Sequence, residues 1–196
     1  MITPALIWKD HFLADDQHER IMLCLRQQWG VLEQESSWFG AQGLQASLLP
    51  LPVLTPVLDL LEKVLCLFRS ELQQPSPSAG LEWWINRNTS HAWHLDKDET
   101  LLQASRKLRP ADRSFLYYVQ QPSCGGELEL MPAPLMPPDG YRGPTRSVEP
   151  LQGRLVSFDS RTYHRVKPYQ GSRLSIAMNA WLQPPLLFSD QTGFLL

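Results

Sequence analysis

Apolar residues recur along this chain at two spacings, and the change from one to the other falls near residue 80. Before that point the spacing is helical. Ile21, Met22, Leu25 and Trp29 fall on one stripe with Arg20, Arg26 and Gln27 outside it, and Asp15 and Asp16 stand where a starting helix favours negative charge. A stronger stripe follows in Val57, Leu60, Leu61, Val64, Leu65 and Phe68, and Thr55-Pro56 ahead of it predicts an N-cap with proline at the first helical position. Residues 1 to 9 predict a short strand or lead-in, and residues 38 to 49 carry no clear period. The run Pro75-Ser76-Pro77-Ser78-Ala79-Gly80 closes the helical part.

From Leu81 onward the pattern is that of strands, in short runs separated by turn residues: LEWWI, SFLYYV, GELEL, RLVSF, HRVKPY and RLSIAMNAWL. Helices first and strands afterwards predict an α+β fold with a mainly β core, in which N-terminal helices buttress one face of mostly antiparallel sheets that form a sandwich or barrel. Between strands, Leu101 to Arg113 is polar enough for a loop or a short helix. Met131 to Pro150 holds prolines at 132, 134, 137, 138, 144 and 150. Long loops without regular structure are uncommon in compact domains and are more often functional than accidental. The segment is therefore expected either to act as a lid facing the substrate, with Tyr141, Arg142 and Arg146 supplying contacts, or to cap the edge of the barrel.

Bulk properties narrow the function. A length of 196 residues suits one core rather than two, so a single domain spanning 1–196 is expected. With a net charge of −2, a pI of about 6.2 and no basic block, nothing points to a nucleic-acid or membrane-surface partner. No stretch approaches the roughly 20 apolar residues of a membrane span, and the first residues lack a basic start followed by a long apolar run. Cys24, Cys66 and Cys124 cannot make a disulfide framework, and the first two sit at apolar helical positions where buried, reduced thiols are expected. These features together predict a cytoplasmic protein.

Candidate chemistry centres on His94-Leu95-Asp96, which follows the strand-like LEWWI and the turn-forming residues Asn86 to Ser90. On an extended segment residues two apart share a face, so an imidazole and a carboxylate can converge on one ion. A pair of this kind is weak alone. His164 supplies a third donor where one strand ends and another begins, and Arg173 follows it by nine residues at the start of the last strand. Two neutral imidazoles and one carboxylate leave coordination positions open, the arrangement suited to non-haem Fe(II). A structural zinc site would close its shell instead.

His94-Leu95-Asp96, then GGELEL, then HRVKPYQGSR, in this order, resemble the 2-oxoglutarate- and Fe(II)-dependent oxygenases of the prolyl 4-hydroxylase-like type, over about Leu81 to Leu182. The resemblance implies a double-stranded β-helix, the jelly-roll or cupin-like barrel, over 81–183 with helical support from 1–80. It implies His94, Asp96 and His164 as iron ligands and Arg173 as the partner of the distal carboxylate of 2-oxoglutarate. A planar guanidinium suits that task because it matches a carboxylate with two parallel hydrogen bonds. The family also places a tyrosine near that carboxylate. Tyr117 and Tyr118 face opposite sides of their strand, and alignment to the paired tyrosines of related hydroxylases favours Tyr118. The implied reaction consumes O2 and 2-oxoglutarate, hydroxylates an unactivated C–H of an amino acid, peptide or protein side chain, and releases succinate and CO2.

Two other classes compete: a cupin-type metal dioxygenase or isomerase without 2-oxoglutarate, and a non-enzymatic β-sandwich binding or sensor module. Arg173 speaks against the first and an unfilled metal shell against the second. Among the remaining residues, His91 is expected in a loop or beside the site, His11 and His18 in solvent, and Asp98 and Glu99 solvated. Trp83, Trp84, Trp93 and Trp181 are expected in core and rim packing, with Trp93 also placed to line the pocket. Gly125-Gly126 either relieves crowding or admits a close approach of backbone.

Overall fold

A computed structural model describes residues 6–27, 37–40, 43–45, 51–72, 76, 79–89 and 91–189. Trp29 and Ser90 lie outside the described residues, as does most of the unpatterned stretch before Leu51. The elements in order are β1 (Ile7–Lys9), α1 (Asp15–Gln27), β2 (Ser37–Gly40), β3 (Gly43–Gln45), α2 (Leu51–Ser70), β4 (Gly80–Arg87), α3 (Glu99–Ser105), β5 (Arg113–Gln120), β6 (Cys124–Gly125), β7 (Leu128–Leu130), β8 (Arg146–Val148), β9 (Leu155–Phe158), β10 (His164–Val166), β11 (Tyr169–Gln170), β12 (Leu174–Trp181) and α4 (Leu186–Ser189).

Seven strands pair in the order β1-β9-β5-β12-β4-β2-β3, and smaller sheets are formed by β10-β7-β8 and β11-β6. Strand alternation decides what each face of the large sheet meets. On β5, Phe115, Tyr117 and Val119 join a core with Ile21 and Leu25 of α1 and Leu60, Leu61 and Val64 of α2. Leu116 and Tyr118, the intervening residues, join a second core with Leu128 and Leu130 of β7 and Val148 of β8. The large sheet is thus covered by helices on one side and by the small sheet on the other. Burial on both faces explains why every residue of β12 is buried and why its sequence is almost continuously apolar. This is the double-stranded β-helix with helical buttress.

Several expectations need correction. The second helix begins at Leu51 rather than at Thr55-Pro56, so Pro56 lies inside it. Leu54 is fully buried and lengthens the apolar stripe by a turn, and the proline, so near the start, removes a single early hydrogen bond. Cys24 is buried as expected, but Cys66 is exposed. His18 is not in solvent: it is buried and shares a 2.7 Å hydrogen bond with the Tyr117 hydroxyl. Of the loop and short helix left open for Leu101 to Arg113, the helix is found at its start, in α3. The proline-rich stretch is not wholly irregular, because β8 lies within it and pairs with β7.

Candidate metal and co-substrate site

His94 and His164 meet across an isolated antiparallel bridge, each backbone N–H donating to the other's carbonyl at 3.0 Å. Residues opposed in this way project their side chains to the same face, so the two ring centroids lie 4.2 Å apart. Asp96, two residues beyond His94, brings its Oδ2 to 3.7 Å from His164 Nε2. One donor atom from each of the three lies within 4.8 Å of the other two.

Both imidazoles are oriented by backbone. His94 Nδ1 donates to Ala92 O at 2.8 Å and His164 Nδ1 to Thr162 O at 3.0 Å. Since a carbonyl only accepts, Nδ1 carries the proton in each ring and Nε2 keeps its lone pair. Burial, above all, holds the His164 imidazole below its ordinary value; Asp96 opposes the shift and His94 adds to it. A neutral imidazole is the form that binds a metal. The donor set, two imidazole nitrogens and one carboxylate with partners already fixing the rings, therefore fits Fe(II).

Behind Asp96 stands a polar cluster that sequence reasoning missed. Ser114 Oγ donates to Asp96 Oδ2 at 2.5 Å and lies 2.7 Å from Ser160 Oγ and 3.3 Å from Asn179 Oδ1. Ser114 and Asn179 are opposed across β5 and β12, which is why residues so distant in sequence meet. No local motif announces them; only strand register does.

Arg173 lies just before β12 and is 1% exposed. Its Nη1 donates to Ser175 Oγ at 3.2 Å, whereas Nε and Nη2 have no hydrogen-bond partner among the described residues. A buried cation left in that condition is costly, so the arrangement calls for an anion. Tyr118, also fully buried, places its ring 5.2 Å from the Arg173 guanidinium, and its hydroxyl has no hydrogen-bond partner among the described residues. Burial pushes the Tyr118 phenol up while the Arg173 cation pulls it down, and the net rise keeps it protonated and able to donate. Gly126, at φ +77°, adjoins this arginine: an added Cβ would meet Pro122 Cγ at 3.0 Å and Arg173 Cδ at 3.4 Å. Positive φ and close approach together account for the glycine.

An inner cavity of about 70 Å³ is lined by His94, Asp96, His164 and Arg173, with Leu116, Leu128, Phe158 and Ala177 as its apolar wall. A cleft of about 470 Å³ shares Trp84, Asn86, His91, His94, Asp96 and Asn179 with it and extends outward past Arg87, Thr89, Lys97 and Glu99. Tyr118 contacts Arg173 without lining the inner cavity.

Other expectations resolve differently. Asp98 is buried rather than solvated: it caps α3 by accepting from Leu101 N at 2.9 Å and also accepts from Leu186 N at 2.8 Å. Glu99 is exposed. Trp93 does not line either cavity but is covered by the Arg165 guanidinium at 4.6 Å. The segment 131–150 contributes no lining residue to either cavity among the described residues. It is fastened instead to the turn before His164, through Leu135 N to Arg161 O at 2.7 Å and Met131 N to Tyr163 O at 2.9 Å. Tyr141 bonds within the segment, to Pro144 O at 2.9 Å.

Residues 83–183 match the 2OG-Fe(II) oxygenase superfamily, and the chain belongs to it. Members of that superfamily are oxygenases that use Fe(II), 2-oxoglutarate and O2. Solved structures of like fold include a Pseudomonas putida prolyl-4-hydroxylase, with 17% identity and a TM-score of 0.55, the match covering 90% of this chain and 91% of that one. A viral collagen prolyl hydroxylase from Paramecium bursaria Chlorella virus-1, solved with 2OG, has 14% identity and a TM-score of 0.56 over 90% of this chain and 95% of that one. A Trichoplax adhaerens prolyl hydroxylase in complex with a hypoxia inducible factor peptide fragment has 15% identity and a TM-score of 0.56 over 96% and 87%. No curated protein sequence matches significantly.

Proposed function

We propose that this chain hydroxylates an unactivated C–H bond of an amino acid, peptide or protein side chain. The overall balance is substrate-H + 2-oxoglutarate + O2 giving substrate-OH + succinate + CO2. His94, Asp96 and His164 would hold the iron, which when bound supplies the oxidative chemistry. Arg173 would pair with the distal carboxylate of 2-oxoglutarate, and Tyr118 would donate toward the same end. The observation that carries this reading is the pair of Arg173 nitrogens without a hydrogen-bond partner among the described residues, on a side chain that lines the same small cavity as the triad.

Each side chain has a physical task. The backbone-bound imidazoles present fixed lone pairs, Arg173 orients the acid, and Leu116, Leu128, Phe158 and Ala177 keep water from the reacting centre. A cleft of about 470 Å³ is within the usual range for small-molecule sites and also admits one side chain of a longer chain. A peptidyl substrate is favoured because prolyl hydroxylases share the fold, one of them with a peptide bound. A buried guanidinium whose Nε and Nη2 lack a protein partner among the described residues argues against a cupin-type enzyme that dispenses with 2-oxoglutarate.

Among the described residues no helix is long and apolar enough to cross a membrane. Three cysteines too few and too scattered for a disulfide framework fit a reducing compartment such as the cytoplasm, the proposed location.

The test is succinate release from Fe(II)-loaded protein, screened with peptide libraries and with free amino acids. Stimulation by peptides, lost in His164→Ala, supports the proposal. Equal succinate formation in wild type and His164→Ala would refute it.

A further inference from the structure

His91 carries a polar atom that neither the triad nor Arg173 explains. His91 lines both the inner cavity and the outer cleft, and its Nε2 is buried with no hydrogen-bond partner among the described residues. It is no fourth ligand of the same ion, for it falls outside the cluster of converging donors, although its ring centroid is 5.5 Å from that of His94. Leaving a buried ring nitrogen unsatisfied costs free energy, and a cavity on its open side is where that cost is removed when a ligand enters.

Two features decide which part of a ligand it meets. Arg173 and the converging His94, Asp96 and His164 donors line the same inner cavity. The His91 ring stands 5.5 Å from that of His94, beside the converging donors. A 2-oxo acid anchored at Arg173 by its distal carboxylate puts its 1-carboxylate and 2-oxo group there, and both are acceptors.

We infer that His91 is a binding residue for the co-substrate, donating a hydrogen bond from Nε2 to the 2-oxo-carboxylate end of the acid. The inference rests on the function proposed above. It also gives the acid three points of attachment, at the metal, at Arg173 and at His91, which fixes its rotation as well as its position. Because His91 belongs to the wall of the outer cleft too, a seated acid and an entering substrate meet at this one side chain, and its ring forms part of the boundary between them.

The test uses Mn(II) in place of iron, so that no turnover is needed. Mn(II) affinity is read by electron paramagnetic resonance, and acid binding to the Mn(II) protein by calorimetry with 2-oxoglutarate and with 2-oxopentanoate, which lacks the distal carboxylate. His91→Leu is expected to leave Mn(II) affinity within about twofold and to weaken both acids by about tenfold, the scale of a hydrogen bond to a charged group. Arg173→Leu is expected to weaken 2-oxoglutarate and spare 2-oxopentanoate. His91→Gln, which keeps an N–H donor, is expected to stay closer to wild type than His91→Leu for both acids.

Unchanged affinity for both acids in His91→Leu would overturn the inference while leaving the proposed function standing. So would loss of Mn(II) in that variant, which would make His91 a metal ligand, or a His91→Gln protein as weak as His91→Leu. Wild-type protein that binds Mn(II) but neither acid would remove the proposed function, and this inference with it.

Discussion

Tyr117 and Tyr118 are neighbours in sequence that serve opposite sides of the same sheet. The Tyr117 hydroxyl meets His18 of α1 at 2.7 Å, whereas the Tyr118 ring stands 5.2 Å from the Arg173 guanidinium. The two phenols should therefore separate cleanly on substitution. Tyr117→Phe is expected to destabilise the fold by about 1 kcal/mol through loss of a buried hydrogen bond, with 2-oxoglutarate affinity unchanged. Tyr118→Phe should weaken 2-oxoglutarate several-fold with Mn(II) affinity unchanged. Urea unfolding and calorimetry read the two effects; a reversed pattern would exchange the roles.

Ser114→Ala removes the donor that meets Asp96 Oδ2 at 2.5 Å. Outer partners of metal ligands typically contribute about 10- to 100-fold in metal affinity. Mn(II) binding should weaken on that scale while Arg173 keeps its preference for 2-oxoglutarate over 2-oxopentanoate. Metal affinity indistinguishable from wild type would show that Asp96 is held by its backbone alone.

Asp98 ties α3 to α4 by accepting from Leu101 N and Leu186 N. Asp98→Ala should lower stability by about 1–3 kcal/mol, combining a lost cap with a second unsatisfied N–H. The urea midpoint should fall with an unchanged slope.

Glu129 links β7 to the segments around it, accepting from Thr145 at 2.5 Å and Arg165 at 2.6 Å. Burial pushes its carboxyl up, but those hydrogen bonds and the charges of Arg165 and Lys167 outweigh it, and the net shift is downward. A carboxyl lowered by folding contributes stability above its unfolded pKa and loses it as pH falls through the folded one. Glu129→Gln should therefore flatten the acid limb of the stability profile below the ordinary carboxylate range, and a profile as steep as wild type would contradict this.

What was legible in the sequence is what local pattern encodes. The apolar, β-favouring runs SFLYYV and RLSIAMNAWL pointed to β5 and β12, and the spacing of His94 and Asp96 put two donors on one face of an extended segment, which the bridge from His94 to His164 then brings to a third. Cues that compete locally misled: Thr55-Pro56 looks like a helix start, yet burial of Leu54 carries the helix back to Leu51. Asp98 looked solvated because its partner Leu186 lies far along the chain. Ser114, Ser160 and Asn179 were invisible for the same reason, since register across the sheet assembles them and no motif does.

The most direct test of the central claim is anaerobic titration of the Fe(II) protein with 2-oxoglutarate, following the charge-transfer absorption that forms when the acid chelates the iron. Wild type should give a saturable band. His164→Ala should give none, and Arg173→Leu should bind iron normally while its midpoint moves upward by tenfold or more, because a buried charge-assisted pair is worth about 2–5 kcal/mol. A midpoint in Arg173→Leu equal to that of wild type, or a full band in His164→Ala, would contradict the account.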